Sequence, residues 1–97
     1  MTEVIWTPPA RNELRKAFAF IANDNPRAAE QVRNRIQNAA DDLVLFPNRG
    51  RYGIVENTRE LLVPHTSYII VYRVIGDVVW LLDIFHSAQD YHPEVAH

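Results

Sequence analysis

Apolar positions spaced by three and four residues dominate the first half of the chain, and strict alternation takes over in the second. Leu14, Ala17, Phe18 and Ile21 fall on one side of a helix. Thr7 is placed to cap it, with Pro8 and Pro9 in the first turn, where a missing N–H does no harm. Just upstream, Val4 to Trp6 reads as a short strand ended by "TPP". "NDNP" then breaks the helical pattern, with Asn25 as the cap and Pro26 in the first turn of a second helix. That helix has the cleaner stripe: Ala29, Val32, Ile36, Ala39, Ala40, Leu43 and Phe46, with Arg, Asn, Gln and Asp on its other face. Pro47 and Gly50 end it. So short a link predicts an antiparallel helical hairpin. Phe20 lies off the stripe of the first helix and is expected to pack on the second.

After the loop "PNRGRYG", three runs read as strands: Arg59–Val63, Tyr68–Ile75 and Val78–Phe85. Gly76 and Asp77 supply a tight-turn signal, so the last two runs should pair as a hairpin. Tyr68, Ile70, Tyr72 and Val74 share one face of their strand, and Ile69, Val71, Arg73 and Ile75 share the other. The final run is apolar on nearly both faces, as expected of a strand covered by helices. Helices first and strands afterwards give an α+β fold: a short N-terminal strand, then an antiparallel helical hairpin packed on an antiparallel sheet, in the order β-α-α-β-β-β.

Composition narrows the class. Ninety-seven residues give a single domain, 1–97, with a polar C-terminal tail from residue 86. The 47% hydrophobic and 23% charged content is that of an ordinary globular domain. No apolar run approaches the roughly 18 residues of a membrane span. "MTEVIWTPPA" lacks the basic start and apolar core of a secretory leader. Cysteine is absent, which excludes disulfides and thiolate zinc sites and fits a cytoplasmic location.

Charge is unevenly spread. Eight basic residues and five acidic ones lie between Arg11 and Arg51, whereas two basic and six acidic ones follow from Glu56 onward. Nine of the ten cations are arginine, the side chain suited to paired contacts with carboxylate or phosphate. A pI near 6.0 is nevertheless not that of a dedicated nucleic-acid binder, and strong direct nucleic-acid binding is not expected.

Three chemistries are conceivable around "FHSAQDYHP", where the last strand turns polar. His86, Asp90 and His92, with His97, have ligand types but match no compact metal spacing, so no metal or other cofactor is expected. Ser87 follows His86 directly and points the other way in an extended segment; Ser67 and His65 read as turn residues. Acid–base chemistry on RNA needs a base, an acid and cations for phosphate. Glu60, His86, Tyr91, Arg59 and Arg73 are the right types, but each also has an ordinary structural role open to it.

"VIWTPPARNEL", "NPRAAEQV", "LVLFPNRGR", "TRELLVPHTSYIIVYRV" and "VVWLLDIFHSAQDYHP" occur in the order found in ParE/RelE-type bacterial toxins, and the chain resembles that family over nearly its whole length. The resemblance implies the fold described above. It also implies a toxin from a two-gene module, held inactive by a ParD-like antitoxin that wraps its surface. One branch of the family cuts messenger RNA on the ribosome; the ParE-like branch is associated with poisoning of DNA gyrase. The ribosomal branch carries cations along the strand matching Arg59–Val63, after the tyrosine opening the next strand, and beyond the last strand. This chain has Leu61 and Leu62, Ile69, then Ser87, Ala88 and Gln89 at those places. Another ribonuclease arrangement in the family uses Glu, Arg and His, which Glu60, Arg73 and His86 could supply. The expectation is a ParE-like gyrase inhibitor that works by protein binding. The alternatives are a ribosome-dependent endoribonuclease and an inactive homologue that only binds antitoxin. Arg49, Arg51, Arg59, His86 and Tyr91 are the expected contacts to antitoxin or target.

Overall fold

Residues 3–89 are described by the computed structural model. Its elements are β1 (Glu3–Trp6), α1 (Pro8–Ala22), α2 (Pro26–Asp42), β2 (Arg51–Tyr52), β3 (Arg59–Leu62), β4 (Tyr68–Ile75) and β5 (Val78–His86). Both helices start where the caps were expected. Thr7 Oγ1 accepts the N–H of Ala10 and donates to the Leu81 carbonyl at 2.6 Å, so one hydroxyl caps α1 and ties it to β5. Asn25 Oδ1 accepts the Ala28 N–H at 3.1 Å. No helix of the described residues is long and apolar enough to cross a membrane.

The five strands form one sheet in the order β1-β5-β4-β3-β2. β3, β4 and β5 make the expected antiparallel meander. β1 joins its edge parallel to β5, with Glu3 beside Val78 and Trp6 beside Leu81. The hairpin α1–α2 covers one face, so the two edges of the meander are handled differently: β1 closes one and the two-residue β2 closes part of the other. Leu82 is an extra residue in the β4–β5 ladder, since Val71 pairs with Asp83 while Tyr72 pairs with Leu81. Such a bulge bends the strand and increases its twist.

The core lies between hairpin and sheet. Ala10 of α1 and Ile36, Ala39 and Ala40 of α2 meet Leu61, Ile70, Tyr72, Val79, Leu81 and Ile84, with Tyr68 and Val74 packed alongside. The face of β4 assigned from alternation is therefore the helix-covered one. Small alanines on α2 let the helix approach the sheet, and the larger strand side chains fill the space.

Three expectations need correction. Phe20 does not pack on α2: it is 79% exposed. Phe18 of α1 does reach α2: its ring lies 4.9 Å beneath the Arg33 guanidinium. α2 ends at Asp42, not at Phe46. Leu43 remains fully buried, but Phe46 leaves the stripe and is 59% exposed.

Candidate functional site

Tyr72 organises the arginine-rich loop. Its side chain is fully buried, and its hydroxyl donates to the Pro47 carbonyl and accepts the Gly50 N–H, both at 2.8 Å. Burial raises its pKa, partly offset by the Gly50 N–H and the nearby Arg59 guanidinium. Arg59, across the ladder from Tyr72, donates to the carbonyls of Asn48 (3.2 Å) and Gly50 (2.7 Å). Its guanidinium also stacks 4.4 Å from the centre of the Tyr52 ring. "PNRGR" is thus held from below by a tyrosine and from the side by an arginine.

Glu60 is buried on the other face of the sheet, opposite Val71. One carboxylate oxygen accepts from Arg51 at 3.0 Å and the other from the Ile54 N–H at 3.2 Å. Both oxygens are engaged in holding β2 and the turn after it. Arg73 shares this face and donates to the carbonyls of Asn57 (3.3 Å) and Glu56 (3.4 Å). The segment 53–58 is therefore pinned at both ends, and Asn57 takes a left-handed backbone there (φ 64°). Between this segment and the end of β4 is a cavity of about 500 Å³, lined among others by Asn48, Tyr52, Arg59, Arg73 and Ile75.

His86 stands elsewhere. It pairs with Tyr68, and the two rings meet edge to face with centres 5.2 Å apart. His86 Nδ1 accepts the Ala88 N–H at 3.0 Å, leaving Nε2 for a ligand or solvent. Glu13, Lys16 and the exposed Phe20 of α1 complete a cleft of about 490 Å³ around this pair. Burial pushes the Tyr68 hydroxyl up from its usual pKa. The half-buried Asp83 carboxyl is also pushed up by desolvation, which the Ile84 N–H opposes; Glu13 adds to the rise and Lys16 opposes it.

The ribonuclease set Glu60, Arg73 and His86 is not brought together. His86 lies across from Tyr68, five positions along β4 from Arg73, or about 17 Å at the rise of an extended strand. Arg73 also points away from the face that carries Tyr68. Of the expected contacts, Arg51 and Arg59 are engaged within the fold, whereas the Arg49 side chain makes no hydrogen bond or ion pair among the described residues. Tyr91 and the possible ligands Asp90, His92 and His97 lie outside the described residues. Exposed Tyr52 was not anticipated; its position in "RGRYG", beside cations and a turn, was the available signal.

Residues 4–91 match the model of the ParE toxin of the type II toxin–antitoxin system, parDE. A candidate toxin of Sinorhizobium fredii, Y4kP, is 40% identical over 90 residues, covering 93% of this chain and 92% of that protein. Toxin RelE2 of Caulobacter vibrioides is 33% identical over 89 residues, covering 92% and 99%. Among solved structures, the chromosomal ParDE system of P. aeruginosa superposes with a TM-score of 0.80 at 22% identity, over 89% of this chain and 96% of that one. At that identity the match speaks for the fold. The RelBE2 toxin–antitoxin complex of Mycobacterium tuberculosis gives 0.59 at 26% identity, over 88% and 96%. With the family model spanning most of the sequence and both relatives matched nearly end to end, this chain belongs to the ParE toxin family of type II toxin–antitoxin systems.

Proposed function

We propose that this toxin acts by binding rather than by catalysis: it engages DNA gyrase in the cytoplasm, blocks replication, and is neutralised by a cognate ParD-like antitoxin. The observation that carries this reading is the dispersal of the acid–base candidates. Glu60 has both oxygens engaged, and Arg73 faces away from the Tyr68–His86 pair at a distance that no single phosphodiester spans. Apolar residues at Leu61, Leu62 and Ile69 point the same way, because they cannot stabilise charge developing on a phosphate.

A cognate antitoxin is supported by the solved relatives, which are a toxin–antitoxin system and a toxin–antitoxin complex. Here Phe20, Leu45 and Phe46 are exposed on or just after the helical hairpin. A segment that folds on binding can cover them, and such complexes commonly bury more than roughly 2,000 Å².

The test pairs two assays after induction of the toxin alone. Gyrase supercoiling should fall and a DNA-damage response should appear. Primer extension on cellular messages should show no new cuts, and His86→Ala should leave growth arrest intact. Intact gyrase activity together with codon-preferring cleavage that disappears in His86→Ala would establish the ribonuclease alternative instead.

A further inference from the structure

β4 runs past β3. β3 begins at Arg59, opposite Tyr72, so among the described residues Arg73, Val74 and Ile75 have no strand beside them on that side. No backbone hydrogen bond joins those three residues to segment 53–58. The result is a short notch in the sheet with an open strand edge as its floor. Tyr52 (81% exposed) and Ile75 (58% exposed) flank it, and Arg59 and Arg73 line it. Neither arginine is fully used. Arg59 donates through Nη1, and Arg73 donates through Nε and Nη2 over long contacts of 3.3 and 3.4 Å, so both keep N–H groups for a ligand. Among the described residues no carboxylate side chain lines the notch.

We propose that this notch is the surface that grips the toxin's target, by taking up an extended segment that carries carboxylates and an aromatic or aliphatic side chain. The inference rests on the gyrase-binding reading and names the surface and peptide chemistry that reading would use. An open strand edge offers main-chain hydrogen bonds to an extended peptide. Two guanidiniums with no counter-ion among the described residues select carboxylates among such peptides. Tyr52, already held flat by Arg59, offers its other face, and Ile75 an apolar footing; tyrosine and arginine are the residue types that dominate binding energy in interfaces. A polynucleotide fits less well. The chain carries a net charge of −2, and the exposed isoleucine gives a phosphate backbone nothing to bind.

The experiment measures binding of purified full-length toxin to purified gyrase and, in parallel, to its own antitoxin. Tyr52→Ala combined with Arg73→Glu should weaken gyrase binding at least about tenfold, as expected for loss of a central interface anchor. Antitoxin binding should be unchanged, which also shows that the variant is folded. Arg73→Lys should restore most of the affinity, and Arg15→Glu, the same charge reversal on exposed α1, should have no effect on gyrase binding. Wild-type toxin that fails to bind gyrase overturns both the gyrase reading and this inference. Wild-type binding that the double variant retains overturns the inference alone, as does a variant that loses antitoxin binding instead.

Discussion

The α-carbon of Gly50 sits so close to Tyr72 that a side chain there would overlap it. A Cβ on Gly50 would lie 2.8 Å from both Cε1 and the hydroxyl of Tyr72, and 2.9 Å from the Glu60 carbonyl oxygen. The glycine of "PNRGR" is thus required by contact, because the phenol must reach its N–H. Gly50→Ala should destabilise the protein by about 1–3 kcal/mol, the usual cost of overpacking. Tyr72→Phe leaves the Gly50 N–H and Pro47 carbonyl without their partner and should also cost about 1–3 kcal/mol. Urea unfolding of both variants checks this; a neutral Gly50→Ala would mean that the loop moves away freely.

Glu60 and Arg51 form an unequal pair: the carboxylate side chain is 3% exposed and the guanidinium 73%. Removing the buried member should therefore cost more. Glu60→Ala strips the partner from the Ile54 N–H and leaves space beneath the turn, for a loss of about 1–3 kcal/mol. Glu60→Gln keeps an acceptor and should lose less. Neither change should abolish toxicity while the protein remains folded. A stable Glu60→Gln protein that has lost toxicity would return Glu60 to the chemistry.

Asp83 gives a pH signature. Its carboxyl pKa is raised mainly by desolvation, so the folded chain holds that proton more tightly than the unfolded chain. The resulting stabilisation is fully present below the unfolded carboxyl pKa and is lost as pH rises through the folded one. At neutral pH the ionised group is a net cost. Asp83→Asn retains an oxygen for the Ile84 N–H, bonded at 2.8 Å in the native chain, and should raise the melting temperature at about pH 7. The advantage should shrink as pH falls toward about 4. An advantage that is constant with pH would assign the effect to packing.

Arg49 is the cleaner probe of antitoxin capture. Its side chain has no internal hydrogen bond or ion pair among the described residues, whereas Arg51 holds Glu60. Arg49→Glu should slow association with an acidic antitoxin tail by roughly two- to tenfold and flatten its salt dependence, with little effect on dissociation. Stopped-flow mixing at two ionic strengths decides the point. Unchanged on-rates at both would place the loop outside the antitoxin interface.

Local signals carried much of the architecture. Thr7 and Asn25 were readable as caps because capping is settled within three residues, and alternation assigned the faces of β4 because one face is covered. Parallel pairing of β1 was not readable, since it joins positions 75 residues apart, and β2 is too short to show any period. The site was less legible. The family resemblance could nominate Glu60, Arg73 and His86, but only the register places His86 beside Tyr68 and sends Arg73 to the far end of the opposite face. Phe20 shows the same limit: its position off the stripe was visible, but whether a neighbour or solvent meets it depends on tertiary packing.

The β1–β5 pairing also bears on when the toxin can become active during synthesis. Among the described residues β1 finds its strand partner in Val78–Leu81, so that edge stays unformed until a segment 75 residues further along has been made. α1 and α2 can associate earlier through local contacts, but Thr7, which caps α1, also waits for the Leu81 carbonyl. Closing such a long loop is entropically costly and slows folding relative to a purely helical domain. Until β5 has been made the helical hairpin therefore has no finished sheet to pack on, and its apolar stripe is the surface that the incomplete chain leaves uncovered.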